Sequence, residues 1–84
     1  MNPGYDFALV GEAARSLMGV TSARRKKGLA VIEALAANPF VDPDFRDTAP
    51  SGRTYSMLIR GSVTVTYWVD HAVKELRVLK VEFD

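Results

Sequence analysis

The densest group of chemically capable side chains in this sequence is Arg24-Arg25-Lys26-Lys27. Four consecutive cations suit a phosphate or an acidic peptide. On a helix, however, four residues span a full turn and cannot form one stripe, so a solvated helix surface is the favoured expectation. Arg46 and Arg53 lie in or beside a long connecting segment and, with Arg24 and Arg25, are the candidate anion contacts. Asp42, Asp44 and Asp47 are close enough in sequence to pair with them, and such exposed pairs contribute little. His71, the only histidine, could serve as a general acid or base. It falls at a predicted hairpin tip beside Asp70, with no serine, tyrosine or carboxylate evidently held against it, so an exposed, non-catalytic histidine is the better expectation. The sequence contains no glycine-rich phosphate loop, paired-carboxylate site or nucleophile elbow. With one histidine and no cysteine, neither a metal site nor a cofactor is expected.

The elements that must position these residues are clearest between Tyr55 and Asp84. Val63, Val65, Tyr67 and Val69 alternate with Thr64, Thr66 and Trp68, as on a half-buried strand. Gly61-Ser62 before this run predicts a two-residue type II′ turn, and Asp70–Lys74 a second reversal, giving a three-stranded antiparallel meander. That turn pairs Arg60 with Val63, Ile59 with Thr64, Met57 with Thr66 and Tyr55 with Trp68. The last strand is ambiguous, because Val78-Leu79 breaks its alternation. Upstream, Tyr5–Val10 reads as a short strand. A helix then starts at Gly11-Glu12, with Val10, Ala14, Leu17 and Met18 on one face and Gly19 as its stop. Thr21 or Ser22 is the expected N-cap of a second helix reaching Ala37, in which Gly28, Ile32 and Leu35 recur at helical spacing. Asn38-Pro39 ends it. Phe40–Gly52, with Pro43 and Pro50, reads as an irregular loop, long enough to be functional.

An 84-residue chain with 48% hydrophobic and 25% charged residues is expected to be one small globular domain, residues 1–84. Its formal net charge of +1 argues against nucleic-acid binding by global electrostatics. No apolar run approaches membrane-spanning length and no secretory leader is recognisable, so no membrane partner and a cytoplasmic location are expected.

The order strand, helix, helix, strand, strand, strand predicts an α+β fold: a two-helix hairpin on one face of a small antiparallel sheet. It resembles the RelE/ParE superfamily of toxin–antitoxin toxins along nearly the whole chain. Two pieces carry the resemblance: the helix ending Glu33-Ala34-Leu35-Ala36-Ala37-Asn38-Pro39, and the meander with Val63-Thr64-Val65-Thr66-Tyr67 followed by Leu76-Arg77-Val78-Leu79-Lys80-Val81. The resemblance implies a plasmid-stabilising type II pair with a cognate antitoxin as partner, and either ribosome-dependent mRNA cleavage or inhibition of DNA gyrase. Family positions that are commonly basic fall here on Met57, Ile59, Thr64 and Phe83-Asp84. Lys80 matches a commonly basic position and Tyr67 the family's tyrosine, which leaves Arg53, Tyr67 and Lys80 as the catalytic candidates.

If Val63, Val65 and Tyr67 face the helices, the opposite face shows Tyr55, Met57, Ile59, Thr64, Thr66 and Trp68. That largely apolar, uncharged set suits contact with an antitoxin or a second copy of the chain better than RNA chemistry. The expectation is therefore a toxin-like component acting by protein binding and lacking efficient ribonuclease activity. The alternatives are a metal-independent mRNA endoribonuclease, a gyrase binder and a free-standing dimerisation domain.

Overall fold

The computed structural model describes residues 4–84. Their elements are β1 (Asp6–Leu9), α1 (Gly11–Met18), α2 (Ser22–Ala37), β2 (Phe45–Thr48), β3 (Thr54–Arg60), β4 (Val63–Asp70) and β5 (Glu75–Phe83). The strands form one five-stranded sheet in the order β1-β5-β4-β3-β2, backed by the two helices. The α+β class and the helical hairpin are as the sequence predicts.

Two parts of the expectation are corrected. First, the sheet is mixed rather than antiparallel, because β1 runs parallel to β5, with Phe7 opposite Leu76 and Leu9 opposite Val78. Second, the Phe40–Gly52 segment is not irregular throughout: it contains β2, antiparallel to β3, with Phe45 opposite Met57 and Asp47 opposite Tyr55. All four β2 residues are exposed, so the strand has no buried face to show as alternation. Backbone and local polar bonds hold it instead. Asp44 N–H donates to the Met57 carbonyl at 2.9 Å, and the Asp44 carboxylate accepts from Ile59 N–H at 2.7 Å. The Ala49 N–H donates to the Arg53 carbonyl at 2.8 Å and closes the turn into β3.

The hairpin register is the expected one: Arg60 opposite Val63, Ile59 opposite Thr64, Met57 opposite Thr66. Gly61 takes the positive φ of 59° that a type II′ turn demands of its first central residue. The pairing of β3 with β4 ends at Ser56 opposite Tyr67, one step short of the Tyr55–Trp68 pair. A bulge explains the broken alternation of β5. Thr66 opposes Lys80 while Tyr67 opposes Val78, which leaves Leu79 as the extra residue. Leu76, Val78 and Val81 are thereby all buried beneath the helices, and Arg77, Lys80 and Glu82 project to the other side.

The core lies between sheet and helices and includes Ile32, Leu35, Leu58, Val63, Val65, Tyr67 and Leu76. Ile32 and Leu35 project from α2 as expected. The face of α1 is rotated from the predicted one: Ala13 and Leu17, one turn apart, are buried, whereas Met18 is 76% exposed. Thr21 is the N-cap of α2 and accepts from Arg24 N–H at 3.3 Å. Gly28 sits where the layers meet most tightly; a Cβ there would lie 3.0 Å from both Leu17 Cδ2 and Phe83 Cζ. No helix among the described residues is long and apolar enough to cross a membrane.

Candidate functional site

The helices cover one face of the sheet and leave the other without a layer of secondary structure. Cross-strand pairing arranges that open face in rows. Ile59, Thr64 and Glu82 form one. Phe45, Met57, Thr66 and Lys80 form the next and run across four strands. Beyond them lie Asp47 beside Tyr55, and Trp68 beside Arg77 and Ala8. All six face residues named from the sequence (Tyr55, Met57, Ile59, Thr64, Thr66 and Trp68) are therefore brought together. The sequence reading missed Phe45 and Asp47, which depend on β2, Arg77, which pairs with Trp68 near the β4–β5 turn, and Glu82, whose orientation depends on the bulge.

The face is more charged than expected. Arg53, just before β3, places its guanidinium carbon 4.1 Å from the centroid of the Trp68 ring, and Arg77 reaches 5.8 Å from the same ring. These cations come with carboxylates. Arg77 Nε lies 2.9 Å from Glu75 Oε1, and Lys80 Nζ 3.9 Å from Glu82 Oε2. The Tyr55 hydroxyl donates to Asp47 Oδ2 at 3.3 Å. The negative charge of Asp47 is the main cause that raises the Tyr55 pKa above the usual phenol value, with desolvation and that hydrogen bond adding to it. Phe45, 59% exposed, and Ile59, 39% exposed, supply the apolar part of the face.

The three catalytic candidates are not brought together. Lys80 and Arg53 serve the open face, but Tyr67 is buried on the helix side, opposite Val78 and Ser56. Burial raises its pKa, with a lesser contribution from Asp44, against smaller lowering effects from the Ser56 hydroxyl, Arg46 and Arg60. Both perturbed phenols therefore remain protonated at neutral pH and are poor general bases.

The four candidate anion contacts are dispersed. Arg25 spans the two helices: its Nε donates to the Leu17 carbonyl at 2.9 Å and its other donors reach Val20 at 3.2 Å and Met18 at 3.4 Å. It thus satisfies carbonyls at and just beyond the C-terminal end of α1, where a cation is also favoured by the helix dipole. Arg24 is exposed on α2. Arg46 lies on the helix side of β2, 3.8 Å from Asp42. Only Arg53 approaches the open face. His71 is exposed but held: the Tyr5 hydroxyl lies 3.0 Å from its Nδ1, and the Phe40 ring stacks on it at 5.3 Å and 12°. That corrects the expectation of an unsupported histidine. Tyr5 is brought there by the Asp6–Lys74 backbone bond, which seats the start of β1 beside the β4–β5 turn. No group of three or more metal-ligating side chains occurs among the described residues.

A helical hairpin backing a five-stranded mixed sheet, with an aromatic and cationic open face, defines the architectural class. The chain has the fold of the RelE toxins. It is similar over 96% of its length to 99% of a chain in the RelBE2 toxin–antitoxin complex from Mycobacterium tuberculosis, with 17% identity and a TM-score of 0.72. It is likewise similar to a chain of the archaeal RelE–RelB complex from Pyrococcus horikoshii, over 99% of this chain and 96% of that one, at 16% identity and a TM-score of 0.73. The isolated Escherichia coli RelE toxin aligns over 94% of this chain and 83% of its own, at 13% identity and a TM-score of 0.75. No protein-family model matches the sequence, and no curated protein does.

Proposed function

We propose that this protein is the toxin-type component of a type II toxin–antitoxin pair, and that it acts by protein contact through the open face of its sheet. The likeness to RelE toxins, two of them in complexes with RelB, supports the first half. The observation that carries the second is the row Phe45–Met57–Thr66–Lys80 flanked by Ile59 and Trp68. Large apolar and aromatic side chains lie across β2, β3 and β4 and are rimmed by charges, the layout of a protein interface. Phosphate chemistry would need convergent free cations and an acid–base pair. Here Arg77 and Lys80 are neighbours of Glu75 and Glu82, and Asp47 pushes the Tyr55 pKa further above the usual phenol value.

A second reading has its own observation. Trp68, approached by Arg53 and Arg77 with Lys80 in the adjacent row, is a platform on which an RNA base could stack. On that reading the protein is a weak metal-independent endoribonuclease that meets mRNA on the ribosome. Inhibition of DNA gyrase is a target choice within the protein-contact reading.

The test is association. Sedimentation over a concentration series, with and without the co-encoded antitoxin candidate, is compared for wild type, Met57→Asp and Trp68→Ala. Complex or dimer formation by the wild type and its loss in folded variants is the expected result. Unchanged association in both variants would move the interface elsewhere.

A further inference from the structure

A cleft lies on the helix side of the sheet, where α2 has ended and no longer covers it. In the row Leu58–Val65–Val81 every residue is buried and apolar. One step along the strands the row becomes Arg46–Ser56–Tyr67, with Thr54 next on β3. These four residues, with His71 and Phe40, line a cleft of about 250 Å³, roofed by the Pro39–Pro43 segment that follows α2.

The chemistry of the lining is one-sided. A guanidinium fork, three hydroxyls and an imidazole can all donate, and no carboxylate lines the cleft. The acids flanking the lining residues are committed or displaceable: Asp70 accepts from Ala72 N–H at 3.1 Å. Asp44 accepts from Ile59 N–H at 2.7 Å and lies 3.6 Å from Arg60. Asp42 is only 3.8 Å from Arg46 and has a side chain 99% exposed, so an entering anion would displace a contact of little worth. The Tyr67 hydroxyl, hydrogen-bonded to Ser56, is a neutral phenol that can donate, and burial raises its pKa further. More donors converge than a planar carboxylate can use, whereas the oxygens of a tetrahedral phosphate can accept from all of them. At the rim, Phe40 is 70% exposed and fixed by its stack on His71, which gives the organic part of a ligand an apolar surface.

We propose that this cleft binds the phosphate of a small phosphate monoester, held by Arg46 and the hydroxyls of Thr54, Ser56 and Tyr67, with Phe40 against the organic substituent. The site opens on the helix side of the sheet and does not rest on the partner-face assignment, although Trp68, named above for that face, also borders the cleft.

The experiment follows backbone amide NMR shifts during titration with inorganic phosphate, phenyl phosphate and acetate. Wild type is compared with Arg46→Gln and with Arg15→Gln, a change on α1, which contributes no residue to the cleft. The expected result is saturable shifts centred on Thr54, Ser56, Tyr67 and His71. Phenyl phosphate should bind more tightly than inorganic phosphate, acetate more weakly than either, and Arg46→Gln should lose about tenfold in affinity while Arg15→Gln loses none. Shifts that never saturate, that centre on Arg24 and Lys27, or that survive Arg46→Gln would overturn the proposal. So would acetate binding as tightly as phosphate.

Discussion

The Arg53 guanidinium sits 4.1 Å above the Trp68 ring, joining a residue just outside β3 to the middle of the open face. Hairpin pairing has already ended there, at Ser56 and Tyr67, so a side-chain contact continues the association of β3 with β4 after the backbone ladder stops. It also makes Trp68 a hub, with Arg77 approaching the same ring from β5.

Arg53→Ala should cost about 0.5–1 kcal/mol, the range of an exposed cation–π contact, and should alter the fluorescence of the single tryptophan. Urea unfolding of Arg53→Ala, Trp68→Ala and the double variant isolates the coupling between the two side chains. Additive losses would mean that the two residues merely lie near each other.

Arg25→Ala should be far more damaging than Arg24→Ala, although the two are adjacent in one basic run. Arg25 makes three hydrogen bonds to carbonyls around the end of α1, whereas the Arg24 side chain is exposed on α2. A loss of about 1–3 kcal/mol is expected at Arg25 and within about 0.5 kcal/mol of zero at Arg24. Equal urea midpoints for the two variants would remove Arg25 from the helix joint.

Gly28→Val should destabilise by about 1–3 kcal/mol or more, even though valine is the better helix former. Its Cβ would already lie 3.0 Å from Leu17 and Phe83, and the two branch methyls have nowhere to go. Thermal unfolding of this variant beside Phe83→Ala/Gly28→Val checks the cause, because the smaller partner should return part of the loss.

Tyr55 and Tyr67 both have pKa values raised above 10.0 in the folded state. A raised folded pKa means that the native state holds its proton more tightly than the unfolded chain. The contribution is thus fully present below pH 10 and disappears as pH climbs through the folded values. Stability should therefore fall at alkaline pH, and Tyr67→Phe should flatten the part of that fall due to burial. Denaturant midpoints measured from neutral to strongly alkaline pH read this directly, and an identical alkaline slope in Tyr67→Phe would contradict it.

What was legible in the sequence follows the range of the interactions concerned. The Gly61-Ser62 turn is local, and once its type is set, pairing fixes which of Tyr55, Met57, Ile59, Thr64, Thr66 and Trp68 share a face. Three features escaped because their causes lie elsewhere. The four exposed residues of β2 carry no hydrophobic period and are held by backbone bonds to β3. The parallel pairing of β1 with β5 joins opposite ends of the chain, which no local pattern announces. The bulge at Leu79 is visible only as a defect in alternation, yet it turns Lys80 and Glu82 onto the open face. The signal for β2 was present in retrospect: Asp44 and Gly52 bracket it, one accepting from β3 and the other supplying a turn with φ of 88°.

On the function proposed above, the open face works by protein contact. The most direct measurement is induced expression of wild type, Met57→Asp and Tyr67→Phe in a bacterial host, following growth together with the integrity of total mRNA. A contact-based toxin should arrest growth while transcripts stay intact. Met57→Asp, folded but carrying a charge in the middle of the row, should grow normally, whereas Tyr67→Phe, altered on the other side of the sheet, should still arrest. Cleaved transcripts, or arrest by Met57→Asp as complete as by wild type, would contradict the claim.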